Sequence, residues 1–342
     1  MIQIGNLKGL HKISIPEVYR NNIEILFIAK HALGDGSRDA TDGDHAVYHR
    51  EVRDTLENMG LNVQAANNAD VLFSRPNADF VFSLLNRGGY FNSELLIPTL
   101  CSRLGIAYLG ATPILRGLSD DKYLMKMAAR ARGVPTADCA IFRRGAPVEP
   151  ITLWSAERYV VKPNASSASW GVSAENDWAG VRRAIEALHE EGHDALVEPF
   201  LSGVDVELPV IGARMAQFLP LMRFDHDTEV LRTYAEKRGF EATEARLVPE
   251  TDPALISKVH VLTEALLPEL WPFDYGRFEF RLNPATGEIN FLEVNLQCNI
   301  WSQRVIGKAA VLAGFTYPEL LETILAGSMA RQGIIDLPDE NW

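Results

Sequence analysis

The sequence predicts a mixed α/β protein of two or three domains that opens on a mostly parallel sheet. Strand-like and helix-like patterns alternate from residue 23 to about residue 110, as in strands joined by crossover helices. Near the other end, residues 275–295 (YGRFEFRLNPATGEINFLEVN) read as two β-rich runs around a turn. A length of 342 residues gives each of several domains room for its own core.

Taken in order, residues 1–22 carry Lys8, His11, Lys12 and Pro16 with no clear period and read as an irregular extension. Residues 23–29 fit a first strand, 31–44 a polar loop rich in Gly and Asp, and 45–59 a helix ended by Gly60. Short apolar runs follow at 61–64, 71–73 and 80–85, then a helix over 92–104 ended by Gly105. Ser119 is a good N-cap for the next helix, with Asp120 and Asp121 in its first turn, Lys122 and Lys126 along it and Gly133 past its end. Strands are expected at 140–142 and 158–163. The run 164–171 is small except for Trp170, so its backbone can approach a ligand closely. A helix over 176–191, strands at 195–200, 205–211 and 216–219, and a helix over 254–270 lead to the hairpin; helices from near Ser302 and over 317–326 close the chain.

Residues 277–282 alternate polar and apolar, and Asn283-Pro284-Ala285-Thr286-Gly287 supplies turn residues. Pairing Leu282 with Glu288 makes odd residues face odd residues. Arg277 and Glu279 then share a face with Glu293 and Asn295, Glu279 lying diagonal to Glu293. Two such carboxylates repel unless a cation or proton lies between them. With an amide oxygen they form a hard donor set that suits Mg²⁺ beside substrate phosphates. The same residues equally suit the solvent-exposed face of an edge hairpin.

Composition narrows the classes. The 45 acidic against 33 basic residues give a net charge of -12, and the absence of a basic stripe argues against a nucleic-acid partner. Cys101, Cys139 and Cys298 are odd in number without a C-x-x-C pair, which favours a reduced compartment. No run approaches the ~18 apolar residues of a membrane span, and no signal-like core opens the chain, so a cytoplasmic protein without a membrane partner is expected. There is no G-x-x-x-x-G-K-[ST], and Gly34-Asp35-Gly36 lacks the third glycine of a dinucleotide fingerprint. His45/His49 and His189/His193 have i, i+4 spacing, but neither pair has a third ligand at a suggestive distance, and both read as exposed polar residues.

Four motifs in order carry a resemblance: Leu118-Ser119-Asp120-Asp121-Lys122, Tyr159-Val160-Val161-Lys162-Pro163, the run VEPFLSGVD from Val197 to Asp205, and Phe291-Leu292-Glu293-Val294-Asn295, with Arg277 and Glu279 in place. Over residues 23–330 the chain resembles the ATP-grasp superfamily, within it the D-alanine:D-alanine ligase-like branch. The resemblance implies a three-domain ATP-grasp fold: an N-terminal Rossmann-like domain (1–110), a central small subdomain (111–194), a C-terminal subdomain with the Mg²⁺ hairpin (195–330) and a tail (331–342). It implies that Lys122 and Lys162 hold ATP phosphates, that a loop closes over them through the backbone of Ala168, Ser169 and Trp170, and that Glu198, Pro199 and Leu201 form the adenine hinge. Asp205 would meet the ribose, Lys237 the covered site and Arg277 the oxyanion. Glu279, Glu293 and Asn295 would hold Mg²⁺, with Mn²⁺ as a substitute.

The reaction so implied joins a small-molecule carboxylate to an amine through an acyl phosphate. Departures fall at the substrate. The family's Gly-Gly-x-Ser-x-Glu after the first strand is replaced by His31-Ala32-Leu33-Gly34-Asp35-Gly36-Ser37, and its His-Gly-x-x-Gly-Glu-Asp-Gly survives only as Arg87-Gly88-Gly89. Its Pro-Gly-Met-Thr becomes Cys298-Asn299-Ile300-Trp301, and the serine that holds the acceptor carboxylate becomes Arg304. Arg304 is therefore expected to meet a carboxylate on the amine, with Asn299 nearby and Trp301 either reshaping the pocket or serving as a core aromatic. These departures favour an amino-acid or peptide ligase of specialised metabolism over a true D-alanine:D-alanine ligase. A small-molecule kinase on the same fold and a non-enzymatic ATP-binding scaffold are the other readings. Dimers are common in the resembled family, so a homodimer is compatible.

Overall fold

A computed structural model describes residues 4–5, 10–85, 95–152, 154–166, 168–212, 215–233, 236 and 245–338. Among these residues the strands form three sheets. The first is parallel, in the order Asn62–Ala66, Glu24–Ile28, Phe80–Ser83, Ala107–Tyr108. Its central strands are apolar on both faces, as a sheet covered on both sides requires, and Ile25, Phe27, Phe80 and Phe82 have no exposed surface. One cover is the crossover helix His45–Asn58, which buries Val52 and Leu56. Another comes from the far end of the chain: Val305–Leu312 and Tyr317–Arg331 share one core with this sheet. These two helices meet at 105°, and among the described residues no single helix is long and apolar enough to cross a membrane.

The second sheet runs Ala140–Phe142, Ala195–Pro199, Tyr159–Pro163, Ser173–Glu175, all antiparallel. Helix Trp178–Glu190 packs Val181, Ile185 and Leu188 on it and starts at Asp177, whose carboxylate accepts from Gly180 N. The third sheet is built on Val204–Ile211, which pairs antiparallel with Ala216–Phe218, Met222–Asp225 and Tyr275–Asn283, while Tyr275–Asn283 also pairs with Glu288–Asn295.

Several expectations are corrected. Residues 1–22 are not irregular throughout: Ile4–Gly5 pairs with Ala216–Gln217, Glu17–Arg20 is a helical turn, and Ile13 and Ile15 are buried. The run 71–73 lies in the 3-10 helix Ala69–Ser74, because Asn68 caps it by accepting from Asp70 N. Of the helix expected over 92–104 the described part is Leu96–Leu104, and residues 92–94, like Arg87, Gly88 and Gly89, lie outside the described residues. Ser119 is not an N-cap. It ends the helix Pro113–Asp120, and Asp121 caps Lys122–Ala131 by accepting from Leu124 N at 2.9 Å.

The hairpin register also differs. Leu282 pairs with Ile289 rather than Glu288, because Asn283 pairs with Glu288 and closes the loop one residue earlier. Alone, that slip would turn Glu293 to the wrong face. A bulge restores the parity: Phe280 faces Phe291 and Glu279 faces Glu293, leaving Leu292 as the extra residue. Glu279 is thus directly opposite Glu293, and Arg277 opposite Asn295.

Candidate active site

A cavity of about 300 Å³ is lined by strand residues of the second and third sheets, together with helix and loop residues that include His45 from the crossover helix of the first. One end begins at the N-terminus of Lys122–Ala131. Asn164 holds this terminus, its backbone oxygen accepting from Lys122 N at 3.0 Å and its side chain from Tyr123 N at 2.9 Å. Lys122 Nζ then donates to Ser166 O at 2.8 Å and pairs with Glu293 at 3.1 Å. Lys162, at the end of Tyr159–Pro163, is 12% exposed at its side chain, and its buried partner is a carboxylate of this chain, Glu198.

Glu198 is 4% exposed and is shared by Lys162 and the fully buried Lys126, the latter at 2.5 Å. Burial opposes charge on Glu198, but the two ammonium groups outweigh it and lower its pKa. Burial is also the largest influence on Lys126 and pushes its pKa down, Lys162 adding repulsion. Lys126 Nζ donates to Thr136 Oγ1, and Thr136 donates to Phe291 O, each at 2.7 Å, so this buried cation ties the helix to the strand beside the bulge.

The floor is a row of three carboxylates. Pairing of Val204–Ile211 with Tyr275–Asn283 sets Glu207 against Glu279, and Glu279 faces Glu293. Arg277 bridges two of them, at 2.9 Å to Glu207 and 2.6 Å to Glu279. Burial opposes its charge, but the two carboxylates outweigh that and hold its pKa above the ordinary arginine value. Glu207 was not singled out from the sequence, although the alternation Val204-Asp205-Val206-Glu207 puts it on the face of Asp205.

The oxygens of Glu279, Glu293 and Asn295 fit Mg²⁺ by donor type and by the cross-strand placement of the two carboxylates, which favours a cation between them. Among the described residues no group of three or more His, Cys, Asp or Glu side chains makes a full protein cage. Mg²⁺ does not need one where substrate phosphates complete its shell.

Glu198, Pro199, Leu201 and Asp205 line the same cavity. Arg281 fixes this stretch, donating to Leu201 O at 3.0 Å and pairing with Asp205 at 2.8 Å. Arg232 and Phe224, also unanticipated, line it with the guanidinium 3.6 Å from the ring centroid. Ala168 and Ser169 line it with left-handed backbone, φ 54° and 59°, a conformation that concentrates at ligand clamps. Gly171 follows at φ 68°, and a Cβ there would meet Pro163 Cγ at 2.9 Å, so the turn needs glycine. Lys237 lies outside the described residues.

At the remaining end, Asn299, Arg304 and Val305 line the cavity. Trp301 does not. It is 9% exposed, packs against Tyr48 at 6.0 Å and donates from Nε1 to Glu51 at 2.6 Å, so the core reading of this residue holds. Arg304, not Ser302, starts the next helix as N-cap of Val305–Leu312. His45 lines the cavity as well, and the expectation of exposed histidines fails: His49 is 3% exposed because it lies beneath His31 and His45. His189 is partly buried, hydrogen-bonded to Phe142 O at 3.1 Å.

Comparison with known proteins matches residues 130–326, more than half of the chain, to the family described as D-ala D-ala ligase C-terminus. A D-alanine–D-alanine ligase of Actinobacillus pleuropneumoniae is 26% identical over 279 residues, 80% of this chain and 89% of that protein. An uncharacterised protein of Sinorhizobium fredii is 28% identical over 238 residues, 67% of this chain and 68% of its own length. Among solved structures, the D-alanine–D-alanine ligase from Bacillus anthracis complexed with ATP superimposes with a TM-score of 0.73 at 20% identity, covering 91% of this chain and 99% of that one. The D-alanyl-alanine synthetase A from Vibrio cholerae gives 0.70 at 16%, covering 90% and 99%.

Proposed function

The chain belongs to the D-Ala–D-Ala ligase family, ATP-dependent ligases that form peptide bonds, and from this premise we propose that it joins a small carboxylic acid to an amine that carries a carboxylate of its own, the product not being a D-alanine dipeptide. The observation that carries the reading is that one cavity collects Lys122, Lys162, Arg277, Glu279, Glu293 and Asn295, the chemistry of an ATP-driven acyl transfer. A scaffold needs none of these together.

In the first step the acid's carboxylate oxygen attacks the γ-phosphorus of ATP. The bond to the bridging oxygen breaks, and ADP departs with the electron pair. Lys122 and Lys162 neutralise charge on the transferring phosphoryl group, which requires Glu293 and Glu198 to give up part of their hold on them. In the second step the amine nitrogen attacks the acyl carbon, phosphate leaves with the C–O electron pair, and the nitrogen loses a proton. Arg277 stabilises the oxyanion, and removing such a donor typically costs about 10²- to 10³-fold in rate. Glu279, Glu293 and Asn295 would hold Mg²⁺, whose contribution is neutralisation of phosphate charge. The bound nucleotide of the Bacillus anthracis ligase supports ATP as the phosphoryl donor.

D-alanine ligation, the activity named for the relatives, is the second reading, favoured by the 26% identity across 80% of the chain. The departure at residues 31–37 counts against it, since HALGDGS replaces the family's Gly-Gly-x-Ser-x-Glu, whose Glu holds the ammonium of the first D-alanine. The test is phosphate release from ATP with paired acids and amines. Release that requires both an acid and an amine supports the ligase. A stable phosphorylated product from one substrate supports a kinase, and full turnover with D-alanine alone overturns the exclusion of the dipeptide.

A further inference from the structure

One end of the cavity carries a cluster that the roles above do not use. Asp42, 7% exposed, is approached by Lys30 Nζ at 3.2 Å, His31 Nε2 at 2.9 Å and His45 Nδ1 at 3.9 Å. Beneath them His49 Nδ1 accepts the backbone N–H of His31 at 3.2 Å, its ring stacked on His31 and edge-on to His45 at 5.6 Å each. His45 is the member that lines the cavity.

The location of this end follows from the helix His45–Asn58. One turn beyond His45, Tyr48 accepts from Ile300 N at 3.0 Å, and Glu51 accepts from Trp301 Nε1 at 2.6 Å. The helix therefore lies against the turn that carries Asn299 and Arg304, and His45 and Arg304 line the same cavity.

Charge restricts what can bind here. Lys30 offsets Asp42, Asp39 adds one negative charge outside the cavity, and each imidazole that takes a proton makes the end more positive, with the Arg304 guanidinium in the same cavity. The cluster has two carboxylates, and neither lines the cavity: Asp42 is buried among its partners, and Asp39 accepts from the N–H and hydroxyl of Thr41 and from Asp42 N, so neither is placed to receive an ammonium group. Resting on the ligase reading above, we propose that His45 binds the acid substrate by donating a hydrogen bond to a second anionic group on it, so that the acid is a dicarboxylate rather than a zwitterionic amino acid.

The experiment measures phosphate release with succinate and with alanine as acid, at saturating ATP and amine, for the wild type, His45→Ala and His45→Gln. In parallel, imidazole NMR resonances of the ADP-loaded protein are followed as succinate is added. The expected result is a wild-type preference for succinate and a succinate KM raised about tenfold or more by His45→Ala, the usual scale for losing a hydrogen bond to a charged group. His45→Gln, which keeps an N–H donor, should recover part of this, while the KM for ATP stays unchanged. A resonance missing from both variants should shift saturably with succinate. Equal succinate KM values in wild type and variants, or a preference for alanine with amide formation intact, overturns the inference and leaves the ligase reading standing. Should neither acid yield an amide, the ligase reading is what suffers, and the titration alone decides: no shift at the His45 resonance overturns the inference. If His45→Ala does not fold, the succinate KM of His45→Gln and the titration of the wild type decide in the same way.

Discussion

On the proposed reading, Arg304 and Glu293 divide the work of this cavity, Arg304 setting what is joined and Glu293 whether ATP is used. Arg304→Ala should raise the KM of a carboxylate-bearing amine by about tenfold or more, on the scale of a charge-assisted hydrogen bond, and leave the KM of ATP unchanged. An unchanged amine KM removes Arg304 from the substrate site. Glu293→Gln should weaken Mg²⁺-dependent ATP binding by about tenfold or more, measured by calorimetry with and without EDTA; equal affinities would show that the hairpin does not hold the metal. His49 supplies a pH prediction that concerns stability. Burial, with repulsion from His45 and His31, lowers its pKa from 6.5 to about 3. The unfolded chain takes up this proton near pH 6.5 while the folded chain resists it until about 3, so stability is fully present above 6.5 and falls as pH drops through that window. The loss is on the order of a few kcal/mol. Urea midpoints from pH 7 to 4.5 should fall more steeply for the wild type than for His49→Gln, and parallel slopes would assign the acid sensitivity elsewhere.

At the scale of elements, the helix Lys122–Ala131 is fixed to the second and third sheets through Lys126, so the position of Lys122 depends on a buried ion triad. Removing one member of a buried pair typically costs about 3–5 kcal/mol, because the remaining charge lacks its compensation. Lys126→Met leaves Glu198 with Lys162 alone and should fall near the lower end of that range. Glu198→Gln in the same chain should recover part of the loss, so the double variant is less destabilised than the sum of the singles. Urea unfolding of the four proteins measures this, and simple additivity would mean that the triad does not act as a unit. The triad was not legible in the sequence, since Lys126, Lys162 and Glu198 are far apart in the chain and come together only through strand pairing and the placement of the helix Lys122–Ala131. The face of the hairpin was legible for a fortunate reason: the one-residue difference at Leu282 and the unforeseen bulge at Leu292 cancel, so Glu279 and Glu293 share a side in either register. Alternation reports which residues share a face, but a bulge leaves no mark on composition, and Leu292 looks like any strand residue.

For the whole molecule, local patterns fixed the strands to within a few residues where hydrophobic period and turn residues agree, as at Ala140–Phe142 and Ala195–Pro199, whereas the last helix, expected over 317–326, runs on to Arg331. Long-range returns were not legible: the strand Ile4–Gly5 beside Ala216, or His45 and Arg304 in one cavity, depends on how the elements pack rather than on spacing. The cavity is lined by residues far apart in the chain, and its charges compensate one another across elements. Lys122 pairs with Glu293, Lys162 with Glu198, and Arg277 with Glu207 and Glu279. Phosphates entering this site would offer the lysines a new anion, and Mg²⁺ would offer Glu279 and Glu293 a new cation, so the two ligands relieve each other's displaced partners. Binding should therefore be mutually dependent. ATP with Mg²⁺ should stabilise the protein by about 2.7 kcal/mol at a hundredfold excess over Kd, and ATP with EDTA, or Mg²⁺ without nucleotide, by much less than their combination. Thermal melts over a matrix of both concentrations measure the coupling. Strict additivity of the two shifts would mean that the lysine and carboxylate halves of the cavity bind independently, and the exchange of partners across the floor would have to be abandoned.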